Sequence, residues 1–197
     1  CHADVQARWS GSHHDAAMQV ARPGTVLGDF DDAEVVHQGV TTRFRREGDR
    51  YWVDTEGPDG SPASFEVAYT FGVEPLQQYL VAFPRGRLQS LTLAWDTERG
   101  VWFSLYPDET IPPGDPLHWT GPRQRWNSMC AGCHSTAFER GYAVEEDTYS
   151  TEHVALHVSC QAFHGAAPPP IHWAPPPRPR NAGPPPPAPW PAPQRGR

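Results

Sequence analysis

Between about residue 35 and residue 106 the apolar positions fall on every second residue, the period of a strand with one face against a core. Phe65, Val67, Tyr69 and Phe71 make the clearest run. Before it, Phe44 leads through the turn Glu47-Gly48-Asp49 to Tyr51 and Val53, and Gly57-Pro58-Asp59-Gly60 is a second strong turn. After it, strand signals continue at 79–83, at Leu91, Leu93 and Trp95, and at 101–105. The pattern predicts a meander of about five or six antiparallel strands joined by short hairpin connections.

The flanks read differently. Residues 3–20 predict a mostly helical segment broken at Gly11, carrying Trp9, the cluster His13-His14-Asp15 and Met18. The passage Ile111-Pro112-Pro113-Gly114-Asp115-Pro116 closes the strand region, and residues 126–143 predict a second helix and its exit. From Pro168 onward about half of the residues are proline, which removes backbone donors and favours extended conformations, so a disordered tail is expected. The expected fold class is α+β, with helical segments at both ends flanking the antiparallel meander. The expected domains are residues 1–167, with the meander at about 35–106, and a tail at 168–197.

The formal charge is −7 and every basic residue is arginine, without a basic stripe, which argues against nucleic acid as a partner. An acidic surface suits a basic partner protein. No apolar run approaches a membrane span, and the mean hydropathy is −0.63.

Cys130-Ala131-Gly132-Cys133-His134 adds chemistry to this frame. CxxCH is the attachment sequence of a c-type haem: the two thiols each add to a vinyl group, and the histidine is held under the iron as proximal ligand. A zinc half-site needs a second pair of ligands, and a redox CxxC needs a βαβ context, neither of which the sequence offers. Two further sites look like incomplete copies. Cys1-His2 is what remains of a motif cut before its second cysteine, and Cys160-Gln161-Ala162-Phe163-His164 carries Phe where that cysteine belongs. Haem-type spacing therefore accounts for all four cysteines and leaves none for an ordinary disulfide.

With these motifs stand Trp9-Ser10-Gly11-Ser12-His13-His14-Asp15, Val26-Leu27-Gly28-Asp29-Phe30, Tyr69 through Tyr79, Trp95-Asp96-Thr97, Tyr106-Pro107-Asp108-Glu109 and Asp115-Pro116-Leu117-His118-Trp119-Thr120-Gly121. Together they resemble the multihaem c-type cytochromes with a cytochrome c-552/4-like domain, often followed by tetratricopeptide repeats. The resemblance covers residues 1 to about 165 and implies haem c at one complete site, one truncated site and one degenerate site. It implies cysteine anchors at Cys130, Cys133, Cys1 and Cys160, and iron ligands among His134, His2, His118, His13, His14 and His164, with one of the adjacent His13 and His14 ligating. It also implies a periplasmic or otherwise extracytoplasmic place and redox partner proteins. The third site departs from the family at Phe163, so an empty site with Phe163 as apolar filling is expected there. The repeat region is absent from this chain. No signal peptide is present, and a chain opening inside a motif does not display one.

Electron transfer by Fe(III)/Fe(II) cycling is the expected function, with an electron carrier favoured over an enzyme. The alternatives are a multihaem reductase or oxidase acting on a small nitrogen or sulfur compound, which needs one open iron position, and a degenerate haem protein acting as a scaffold. Met18 and Met129 read as packing residues, and His37, His153, His157 and His172 as solvated.

Overall fold

In the computed structural model, which describes residues 3–165, the alternating stretch forms eight strands of a nine-stranded antiparallel sheet, with Met18–Val20 as the ninth. Cys1, His2 and residues 166–197 lie outside the described residues, and with them the truncated first site and the proline-rich tail. The strands are β1 (Met18–Val20), β2 (Ala33–His37), β3 (Val40–Glu47), β4 (Arg50–Glu56), β5 (Pro62–Phe71), β6 (Leu76–Phe83), β7 (Arg87–Ser90), β8 (Leu93–Asp96) and β9 (Val101–Ser104). The main path runs β2-β3-β4-β5-β6-β8-β9. Two-residue loops set the first hairpins. Gln38 and Gly39 both have positive φ between His37 and Val40, and Gly48 takes φ 61 between Glu47 and Arg50, conformations that match the strand twist.

Two central strands each serve two partners on one side. The first part of β5 pairs with β4 through Glu66, then β1 takes over at Tyr69 to Phe71. The opposite edge of β5, paired with β6, carries a β-bulge between Val67 and Tyr69 at that changeover. In the same way β6 pairs with β8 through Leu76 and Gln77, and with β7 from Leu80 to Phe83. The sheet is curled strongly enough that Phe44 of β3 stacks on Trp102 of β9, ring centroids 3.5 Å apart at 6°. Phe30 plugs the interior, meeting Phe44, Tyr51, Tyr79 and Trp102 edge-on. Truncating such a buried aromatic costs about 3–5 kcal/mol.

A buried polar network holds the segment before β2 against this core. The Leu27 amide and the Tyr79 hydroxyl both donate to Gln77 Oε1 at 2.8 Å, and the Gly28 amide donates to the Tyr79 hydroxyl at 2.8 Å. Gln77 Nε2 donates to the carbonyls of Thr25 and Gly72. Only glycine fits at position 28, because a Cβ there would lie 2.9 Å from the Trp102 ring. Burial raises the Tyr79 hydroxyl pKa, so it stays a donor across the physiological range.

The α+β expectation is corrected here: the described residues are mostly β, and the helices are short pieces. They are α1 (Ala3–Trp9), α2 (Trp126–Met129), α3 (Ala131–His134) and α4 (Cys160–His164). The first expected helix stops at Trp9, because Met18–Val20 extends to cover the edge that β4 leaves open on β5. The second breaks at Cys130, at φ −121 and ψ −37, and ends at Ser135. There the Ser135 hydroxyl donates back to the Ala131 carbonyl at 2.6 Å, while the backbone of Thr136 bridges to Ala155, drawing the chain into extended form. Residues 139–152 then fold back as the hairpin β10 (Tyr142–Ala143) and β11 (Thr148–Tyr149).

Candidate functional site

The CAGCH run forms one helical turn at the end of the sheet where β1 begins and β5 finishes. The amides of Cys133 and His134 donate to the Cys130 carbonyl at 3.1 and 3.2 Å. A helical turn puts residues three and four apart on one face, so both thiols and the imidazole leave from the same short platform. All three described cysteines are unpaired thiols; Cys130 is half-buried, and Cys133 and Cys160 are exposed. Burial, with the Cys133 thiol adding to it, pushes the Cys130 thiol pKa up. His134 is exposed at its edge, but its ring rests on Phe71 at 4.5 Å, and the partial burial holds its pKa below the ordinary imidazole value.

Residues that the sequence did not single out fix this platform. Asn127 is 1% exposed, accepts from the Leu88 amide at 2.8 Å, and donates to the Gly86 carbonyl and the Thr151 hydroxyl, locking α2 onto β7. Trp126 and Ala131 pack with Met18 and Leu80 in a second apolar cluster, which makes Met18 a core residue. An Asn and a Trp just before the motif were the available signal. Their partners lie elsewhere in the chain, so local spacing does not reveal them.

Three distant segments meet at this end. The Trp9 indole N–H donates to the Val158 carbonyl at 3.0 Å, and the Val158 amide donates to the His14 carbonyl at 3.1 Å. Thr136, two residues after His134, donates from its hydroxyl to the His157 carbonyl and accepts from the Ser159 amide. Ser159 in turn caps α4, accepting from the Gln161 amide at 3.2 Å. The structure thus brings His13, His14, the complete motif and the Cys160–His164 segment to one pole. His14 packs edge-on against Phe163 at 6.0 Å, while His13 pairs with Glu74 at 3.2 Å. His157 packs on Trp9 and lies 3.7 Å from Asp15, so it is part of the pole's framework. Phe163 is 73% exposed and fills no packed space, contrary to its expected role as filler.

His118 is not at this pole. It is 3% exposed, with Nδ1 2.8 Å from the Thr120 hydroxyl and Nε2 3.1 Å from Glu56 Oε1. Glu56 pairs with Pro62 at the start of β5, and His134 touches Phe71 at its end. Those ten residues span roughly 30 Å of extended backbone. The structure therefore does not bring His118 to the complete motif.

The residues of the pole fit a haem. The Cys130 and Cys133 thiols are unpaired, burial holds the pKa of the neighbouring His134 imidazole down, and Met129 (50% exposed) adds apolar surface next to Cys130. The buried Trp126 indole N–H finds no acceptor among the described residues. Among the same residues no cluster of three or more His, Cys, Asp or Glu is arranged to hold a bare metal ion. No helix there is long and apolar enough to cross a membrane.

No family model and no curated protein matches the chain. Among solved structures it is similar to the crystal structure of the outer cell wall cytochrome OcwA, at 16% identity over 82% of this chain and a TM-score of 0.46. The chain spans 29% of that protein. A likeness at that level leaves the reading of the site to the residues themselves.

Proposed function

We propose that the chain is a haem-carrying domain of a c-type cytochrome that transfers electrons outside the cytoplasm. The observation that carries this reading is the CAGCH run folded as one turn, with unpaired thiols and an outward imidazole, on a platform that Asn127 and Trp126 lock to the sheet. Cys130 and Cys133 would hold haem c by thioether bonds, and His134 would be the proximal ligand. When bound, the haem supplies one-electron Fe(III)/Fe(II) chemistry. The chain's own residues orient the ligands: Phe71 limits rotation of the His134 ring, and the Ser135 hydroxyl terminates the turn that presents it. His13 and His14 would be further ligands at this pole, His14 lying beside the Cys160–His164 segment. The net charge of −7 favours a basic redox partner protein.

Co-expression with a cytochrome c maturation system tests the reading. A denaturing gel stained for haem peroxidase activity is expected to show a band that survives boiling, and intact mass to show one haem. Cys130→Ala with Cys133→Ala is expected to remove both signals, and Cys160→Ala to change neither. A band of unchanged intensity in the Cys130/Cys133 double variant overturns the assignment.

A further inference from the structure

The curled sheet encloses a cavity of about 210 Å³ at the end far from the thiols, between β3, β4, the start of β8 and the proline-rich strap 109–119. For comparison, a cavity of about 150 Å³ suffices to hold benzene. The cavity is therefore large enough for a single ring with a short substituent. Its walls are apolar and aromatic, with Phe44, Tyr106 and Trp119 contributing rings.

Several polar groups of the lining already have partners. Thr42 and Thr55 share a hydroxyl hydrogen bond of 2.8 Å, and the Tyr106 hydroxyl accepts from Gln124 Nε2 at 3.0 Å. His118 uses one ring nitrogen on Thr120 and the other on Glu56 Oε1. The second Glu56 oxygen and both Glu109 oxygens have no hydrogen-bond partner among the described residues, so these two carboxylates are the free charged acceptors of the lining. Charge sharpens the choice of ligand. Two carboxylates, Glu56 and Glu109, and two imidazoles, His37 and His118, line the cavity, and no arginine does. The chain has no lysine.

We propose that this cavity is a binding site for a small organic ammonium ion carrying a single ring or equivalent bulk. The ammonium group donates to Glu56, and the aromatic walls take the ring and stabilise the adjacent positive charge. The acidic protein favours approach of a cation over an anion. The His118–Glu56 pair is then a positioning device: with Nε2 engaged on Oε1, the carboxylate is held in one orientation and its other oxygen is presented to the ligand. The site is independent of haem attachment, since its residues lie at the other end of β5.

Isothermal titration calorimetry on the full chain at neutral pH decides the matter with three isosteric probes: benzylammonium, benzyl alcohol and benzoate. Benzylammonium is expected to bind with a dissociation constant below about 1 mM, benzyl alcohol at least about ten-fold more weakly, and benzoate not measurably. Glu56→Gln is expected to bring benzylammonium down to the level of benzyl alcohol and leave benzyl alcohol unchanged. Ile111→Trp, which fills the space from the strap, is expected to abolish binding of both. Should Glu56→Gln fail to fold, Glu109→Gln on the exposed strap replaces it, with a several-fold loss expected for benzylammonium alone. Benzoate binding as tightly as benzylammonium, no binding by any probe, or a folded glutamine variant with unchanged benzylammonium affinity overturns the proposal.

Discussion

The two ends of β5 hold histidines in opposite states. At the start of the strand His118 is buried and both ring nitrogens are engaged, on Thr120 and Glu56. At its end His134 packs at a tilt on Phe71 and is otherwise exposed, beside the half-buried Cys130 and the exposed Cys133. A ring whose nitrogens already have partners belongs to the framework, whereas an uncommitted ring beside unpaired thiols is available to a ligand. Chain position and neighbouring residues do not separate the two cases. The partners do.

The largest effect expected from this contrast is on stability at the closed end. Trp119 is 5% exposed, donates from its indole to the Glu56 carbonyl at 2.9 Å, and packs edge-on against Phe65 and Phe83. Trp119→Ala is expected to lower the unfolding free energy by about 3–5 kcal/mol, while Phe163→Ala at the open pole stays within about 0.5 kcal/mol. Urea unfolding followed by circular dichroism measures both, and comparable losses for the two would erase the distinction between the ends.

Next in size is the removal of the buried imidazole. His118→Ala leaves Glu56 without its partner, a loss of about 1–3 kcal/mol. The same variant is expected to leave the absorption spectrum of any haem attached at Cys130 and Cys133 unchanged, whereas His134→Ala alters that spectrum at little cost in stability. Conversion of the haem to a high-spin spectrum in His118→Ala would place His118 on its iron and contradict the geometry.

A smaller effect comes from the outer face of the sheet. Burial works against the charge of Asp54, but hydrogen bonds from Arg45 (2.8 Å) and Ser64 outweigh it and hold the carboxyl pKa below its usual range. A group whose folded pKa is depressed contributes stability above its unfolded pKa, near 3.9, and loses it as pH falls through the folded value. Asp54→Asn is therefore expected to cost about 0.5 kcal/mol at pH 7 and nothing below the folded pKa. A loss of equal size at pH 7 and pH 2 would show that the pair contributes through packing alone.

Much of the sheet was legible because its information is local. The Phe65–Phe71 alternation and the glycine turns lie within single hairpins, and the observed pairing follows them except at the bulge between Val67 and Tyr69, which divides that run between two apolar clusters. The flanks misled because their conformation depends on distant partners. Nothing near Met18 in sequence announces that β5 has an open edge at Phe71, and nothing near Ser135 announces that Thr136 will bridge to Ala155. The same reason hid the surroundings of His118: Glu56 lies 62 residues away. The CAGCH run itself was legible as a motif, while the residues that seat it, Asn127 and Phe71, became visible only once β5 and β7 were placed beside it.

The contact between Trp9 and Val158 joins residues 149 apart, whereas the hairpins of the sheet close loops of a few residues. Loop-closure entropy grows with the length closed, and local contacts form sooner than distant ones. The order of events follows from topology: the curled sheet can assemble while the chain is still being made, but the pole needs both ends of the described chain together. Cys130 and Cys133 thus remain on an unfinished surface until Val158 has joined Trp9 and His14, and the thiols are most accessible to modification in the interval before that closure.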